Sequence, residues 1–141
     1  MSETGDAPRD KLDQLLRLMP FAAGMGIELR AAEPEEVRGR LAWSAELCTA
    51  GGVMHGGALM SLADSMGGIC AYLNLPSGAQ TTTVTSSTAF MRGVRDGGVT
   101  AVARPLHAGR TVIVVQTELL DDARRRVAQV TQTQAVLAGD A

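Results

Sequence analysis

Residues 51–75 read GGVMHGGALMSLADSMGGICAYLNL, and this stretch decides the fold. Behind the Gly56-Gly57 pair, Leu59, Leu62, Met66, Ile69 and Leu73 recur three and four apart, which lays one apolar stripe along a helix. Such a stripe must face a sheet. Two helical turns take about seven residues, so Gly57, Ser61, Asp64, Gly67, Gly68 and Ala71 fall along another side. Asp64 is the only large polar group there, and the small residues around it predict room for something to approach.

Upstream, residues 1–8 read as a flexible polar tail, after which Leu12, Leu15, Leu16 and Met19 make the apolar face of a short helix that Pro20 helps to end. From Ile27 the period shortens. Val37, Gly39, Leu41 and Trp43 alternate with Glu36, Arg38, Arg40 and Ala42, the pattern of a strand with one wet face. Glu33-Pro34-Glu35 separates it from an earlier strand near Gly26 to Ala32, and Ser44 to Gly52 reads as the loop that feeds the helix. Downstream, Pro76-Ser77-Gly78 is a turn, followed by four β-rich runs: Thr81 to Met91, Val99 to Leu106, Val112 to Leu120 and Val127 to Leu137. Asp96-Gly97-Gly98, His107-Ala108-Gly109 and Asp121-Asp122-Ala123-Arg124 break them, which predicts a run of hairpins. Residues 9–141 therefore make a single α+β domain, a curved antiparallel sheet wrapped around one long central helix.

The bulk properties narrow the function. At 141 residues with 20% charged, the chain has the composition of one domain with a real core. A net charge of -2 leaves no basic excess for nucleic acid or an anionic membrane surface, so neither is an expected partner. The N-terminus has no apolar segment of the secretory kind, and no apolar run reaches the roughly 20 residues of a membrane span. The expected location is the cytoplasm. Cys48 and Cys70 form no Cys-x-x-Cys pair, which fits a reducing compartment. Together with His55 and His107 they lack zinc-ligand spacing, so no metal is expected. The glycine-rich stretch has neither Gly-Lys-Ser/Thr nor Gly-x-Gly-x-x-Gly and is no phosphate loop.

His55-Gly56-Gly57 with Asp64 nine residues after the histidine, in the context His-Gly-Gly-Ala-Leu-Met-Ser-Leu-Ala-Asp, resembles the hotdog-fold acyl-CoA thioesterases. Within that family the chain looks most like the phenylacetate-degradation (PaaI-like) branch and its hydroxybenzoyl-CoA relatives. Thr83 to Arg92, Gly109-Arg110-Thr111 and the closing run from Val127 to Leu137 extend the resemblance over nearly the whole chain from Met25. It implies hydrolysis of a coenzyme A thioester in a homodimer or a dimer of dimers. No metal takes part, and coenzyme A is part of the substrate rather than a cofactor. Carried over by residue, Asp64 is the catalytic carboxylate, the Gly57 N–H polarises the thioester carbonyl, His55 shapes that end of the site, and Thr83 stands where a hydroxyl orients water. Thr49 departs from the family, in which an asparagine often stands six residues before the motif histidine. Gly109, Arg110 and Thr111 are the resemblance's candidates for coenzyme A, and Arg92 is a further guanidinium suited to its phosphates.

The chemistry is consistent with those residue types. A thioester carbonyl becomes an oxyanion on attack, and a helix start offers unpaired N–H groups and a favourable dipole. Gly56 and Gly57, lacking Cβ, let an acyl group or a pantetheine arm lie against the backbone. An aspartate, ionised at neutral pH, serves either as general base toward water or as a nucleophile that gives an anhydride. Gly57 and Asp64 lie about 10 Å apart along one helix, so each site is expected to pair Gly57 of one subunit with Asp64 of its neighbour. Plainer readings stand beside these. Asp64 could be satisfied by a hydrogen bond or a dimer contact, His55 could be a capping or core histidine, and Arg124-Arg125-Arg126 could be solvated turn charge. A Cys48–His55 thiol pair is disfavoured by its loop-like spacing. The rival functions are a non-catalytic hotdog module that binds acyl-CoA or holds an assembly together, and a hydratase of the same fold, for which this helix offers no second acid–base partner.

Overall fold

The computed structural model describes residues 3–139. Their elements run α1 (Glu3–Arg17), α2 (Pro20–Met25), β1 (Glu28–Glu33), β2 (Glu36–Ala42), α3 (Gly56–Leu73), β3 (Gln80–Phe90), β4 (Gly98–Ala108), β5 (Val112–Asp121) and β6 (Arg126–Leu137). Leu59, Leu62, Met66 and Ile69 of α3 are buried and Leu73 is half-buried, so the apolar stripe faces the core as its spacing requires. His55 caps the helix start, its Nδ1 accepting from the Gly57 N–H at 2.7 Å. At the other end the Asn74 Nδ2 donates to the carbonyls of Cys70 and Pro34, each at 2.8 Å. That second bond ties the end of α3 to the β1–β2 turn.

The six strands form one antiparallel sheet in the order β1-β2-β4-β5-β6-β3, the hotdog arrangement of a sheet around a helix. Its inner face presents Val37 and Leu41 from β2, Val99 and Ala101 from β4, Ile113 and Val115 from β5, and Val130 from β6, all buried. Gly39 lies among them because a β-carbon there would overlap the Met66 sulfur. A strand glycine thus makes the socket for a methionine of the helix core.

Three expectations need correction. The strands are not a simple run of hairpins: β3 crosses to the far edge beside β6, from Gln80 opposite Leu137 to Phe90 opposite Ala128, and β4 pairs with β2. The threonine-rich β3 is exposed at most positions and lacks the apolar face that a central place demands. Helix α1 begins at Glu3, so the described part of the supposed tail is helical, while Met1 and Ser2 lie outside the described residues. Pro20 opens a second helix rather than only ending the first, since its missing N–H costs nothing in a first turn. Gly26, in the left-handed region at φ 89°, then stops that helix. Among the described residues no helix is long and apolar enough to cross a membrane.

Two outcomes follow from this packing. Gly39→Val should lower unfolding free energy by about 2 kcal/mol in urea denaturation, because Met66 must leave its socket. Burial pushes the Cys70 thiol up to about 11. At pH 8 it should therefore resist iodoacetamide in the folded protein and react only on unfolding, as peptide mass mapping would show.

Candidate active site

Helix α3 leaves one stripe uncovered: Met60, Asp64 and Tyr72 are exposed and Gly68 half-buried, four residues apart along the helix. Asp64 lines a cavity of about 380 Å³. One wall is apolar, built from Leu15 on α1, Leu18 and Met19 just after it, and Ile69 and Tyr72 on α3. The opposite wall is the start of β3, where Thr81, Thr82 and Thr83 line the same space. Among the described residues, Asp64 is the only charged one on the lining.

Two glutamines of β6 hold this polar edge, and neither stands out in the sequence. Gln134 is buried and bonded at both ends: its Nε2 donates to Thr83 Oγ1 at 2.8 Å and its Oε1 accepts from Thr81 Oγ1 at 3.0 Å. Gln132 is fully buried, and its Nε2 donates to Asp64 Oδ1 at 3.3 Å. The signal for both was the inward phase of Val130, which puts 132 and 134 on the core face.

The small-residue side of α3 is divided in two. Gly67 and Ala71 are buried, with Gln132 filling the space above Gly67, whereas a β-carbon at Gly68 would meet nothing within 4 Å. The room predicted around Asp64 is therefore supplied by Gly68.

The helix start stands about two turns away. There the Gly57 N–H, expected to face a carbonyl, is engaged by the His55 imidazole, so Nδ1 is the unprotonated nitrogen and His55 acts as a cap. The Gly56 N–H, one residue earlier, meets no acceptor among the described residues. The ring of Phe90 lies over Gly56, about 3.2 Å from where a β-carbon would be. Thr49 lies exposed on the loop before His55, its N–H donating to the Val53 carbonyl at 2.8 Å, and its hydroxyl meets no partner among the described residues.

The candidates for coenzyme A are split between the two ends of the sheet. Arg92 follows β3 at its Phe90 end, its N–H bonded to the Val127 carbonyl. Gly109, Arg110 and Thr111 form the β4–β5 turn, where the Thr111 carbonyl accepts from Val136, the residue opposite Thr81. One chain does not bring these together. The Arg124–Arg126 run is turn charge: Arg125 pairs with Asp121 and Arg126 with Glu118. Cys48 Sγ donates to the Ser44 carbonyl rather than to His55.

Comparison with known proteins gives the family. The model of the thioesterase superfamily matches residues 51–128. A Haemophilus influenzae thioesterase superposes with a TM-score of 0.85 at 26% identity, covering 90% of each chain. A mutant thioesterase of Pseudomonas aeruginosa superposes at 0.84 with 30% identity, covering 89% of this chain and 93% of the other. The 1,4-dihydroxy-2-naphthoyl-CoA hydrolase of Escherichia coli is 33% identical over 86 residues, 61% of this chain and 63% of its own. With the matched segment running from the glycines before α3 into β6, and the fold shared over 90% of the chain, the chain belongs to the thioesterase superfamily and is a thioester hydrolase.

Proposed function

We propose that the chain hydrolyses an acyl-CoA thioester to the free acid and coenzyme A, at a site completed by two copies of the chain. The observation that carries this reading is a lone carboxylate, Asp64, sharing a cavity edge with the Thr83 hydroxyl. Because Thr83 Oγ1 already accepts from Gln134, its own proton is left to donate. A water that takes that proton as an acceptor and donates to Asp64 keeps a lone pair for the carbonyl carbon. On attack the C–O bond forms and the water's proton passes to Asp64. The charge that develops on the carbonyl oxygen falls to the open Gly56 N–H and the positive end of α3. The C–S bond then breaks, and the departing thiolate takes the proton from Asp64, which restores the carboxylate. Direct attack by Asp64, giving an anhydride that water opens, uses the same groups. The reaction draws on no cofactor.

Two copies are needed because Gly56 and Asp64 stand about 12 Å apart on one rigid helix, too far to act on one carbon. The outer edge of β3 supplies the means of pairing. It is an edge strand of 11 residues with Val84 61% exposed, the kind of edge that invites a second strand. If two such edges pair antiparallel about a two-fold axis, the Phe90 end of one lies against the Gln80 end of the other. Phe90 covers Gly56, and Thr81 to Thr83 border Asp64, so the pairing carries Gly56 of one copy toward Asp64 of the other. It also brings Arg92 of one copy to the end of the sheet that holds Arg110 of the other. There guanidinium groups suit the phosphates of coenzyme A. Thr49, at the Gly56 end, adds a hydroxyl within the same helix-start region.

The wall of Leu15, Leu18, Met19, Ile69 and Tyr72 suits an apolar acyl or aroyl group. The named substrate of the Escherichia coli relative, an aroyl-CoA, supports that choice. A binding module without catalysis is disfavoured, since the carboxylate, the hydroxyl and the open amide are all present.

Thiol release from a panel of acyl-CoAs should fall about a hundredfold or more in Asp64→Ala and Asp64→Asn. Wild-type turnover in both would remove Asp64 from the mechanism. Gly56→Pro deletes the open N–H at a first helical position that accepts proline, behind a residue already at ψ 137°, and should cost a similar factor. Refolding Asp64→Ala together with Gly56→Pro should restore about a quarter of wild-type turnover, because half the pairs are mixed and each holds one intact site. No recovery would place the site within one chain.

A further inference from the structure

We propose that Gln132 is a positioning residue for Asp64, and that position 67 is glycine so that this amide can stand where it does. The inference rests on Asp64 being the working carboxylate, as argued above. Gln132 points from β6 into the core between Val115 of β5 and Ser86 of β3, and none of it is exposed. One half of its amide donates to Asp64 Oδ1 at 3.3 Å. The orientation is chemically determined: a carboxylate only accepts, so the NH2 end must face it. The other half, Oε1, is buried with no partner among the described residues.

An orphaned buried carbonyl oxygen costs stability, and an aliphatic side chain of similar length would avoid that cost. Its neighbour Gln134, satisfied at both ends, shows that the same strand can seat an amide without loss. The position of Gln132 is therefore explained by what its NH2 group does. It holds Oδ1 from below, fixes the carboxylate's rotation, and leaves Oδ2 to meet water or the thioester carbon in the cavity. A charge-assisted bond of this kind acts equally on a general base and on a nucleophile.

Gly67 follows Asp64 by three residues and faces the same strand. A β-carbon there would overlap Oε1 of Gln132. Because that oxygen is the far end of a flexible side chain, Gly67→Ala should displace the amide and leave the helix intact, alanine being the better helix former. One substitution thus removes the contact and another dislodges it from outside.

The test is steady-state kinetics on an acyl-CoA that the wild type turns over, with melting midpoints measured beside it, for Gln132→Met, Gly67→Ala and Asp64→Asn. Gln132→Met should lower kcat about ten- to a hundredfold with KM within about twofold of wild type. Its melting midpoint should equal or exceed that of wild type. Gly67→Ala should move kcat the same way and leave KM unchanged. Wild-type kcat in Gln132→Met beside an inactive Asp64→Asn overturns the positioning role and leaves Asp64 in place. Wild-type kcat in Asp64→Asn overturns both. A fall in kcat matched by a lower melting midpoint in both variants is the mark of a scaffold residue and also overturns the proposal.

Discussion

The structure depends on the apolar seam between α3 and the hollow of its sheet. Leu59, Leu62, Met66 and Ile69 are all at most 3% exposed, and each contributes about 2 kcal/mol by leaving water. That seam fixes the rotation of the helix. Once those four face the sheet, the 3.6-residue turn leaves Met60, Asp64, Gly68 and Tyr72 on the open side. The acid reaches the cavity because its neighbours cannot, so stability and chemistry are set by one choice of helical phase. A slip of one residue would bury a carboxylate under β6 and expose a leucine.

Helix phase, strand spans and the glycines at the helix start were legible in the sequence because each is a local property. Periodicity reports which side of an element is dry, and the apolar stripe of α3 and the alternation of Val37, Gly39 and Leu41 report it without ambiguity. Strand order is different. Nothing in the alternation of β3 names its neighbour, and a hairpin with β4 satisfies every local rule. What excludes that hairpin is the sum of exposures along β3, which only the assembled sheet reveals.

The candidate site was legible only in part. Asp64 and the glycine pair carry a recognisable spacing, yet which of two adjacent amides stays open turns on whether the His55 ring folds back over the helix start, and it does. Gln132 and Gln134 look like wet-face residues of a strand rich in polar side chains. Their inward phase depends on whether the run is counted from Val127 or from Val130, and Val127 and Ala128 are both buried. A polar residue in the core is invisible to any reading that equates polarity with solvent.

The two edges of the sheet are treated unequally, and the asymmetry connects the fold to the proposed pairing of two copies. At β1 the Arg9 guanidinium from α1 donates to the Leu29 carbonyl at 2.9 Å, so the N-terminal helix covers that margin. At β3 nothing comparable stands among the described residues, although this is the longer edge, 11 residues against 6. An open edge of that length is a hazard unless a strand of matching shape is always at hand, and a second copy is the one partner present wherever the chain is made. The same N-terminal helix supplies Leu15 to the cavity wall, and the link that follows it supplies Leu18 and Met19. One edge of the sheet is covered by the element that also walls the pocket, and the other is left open.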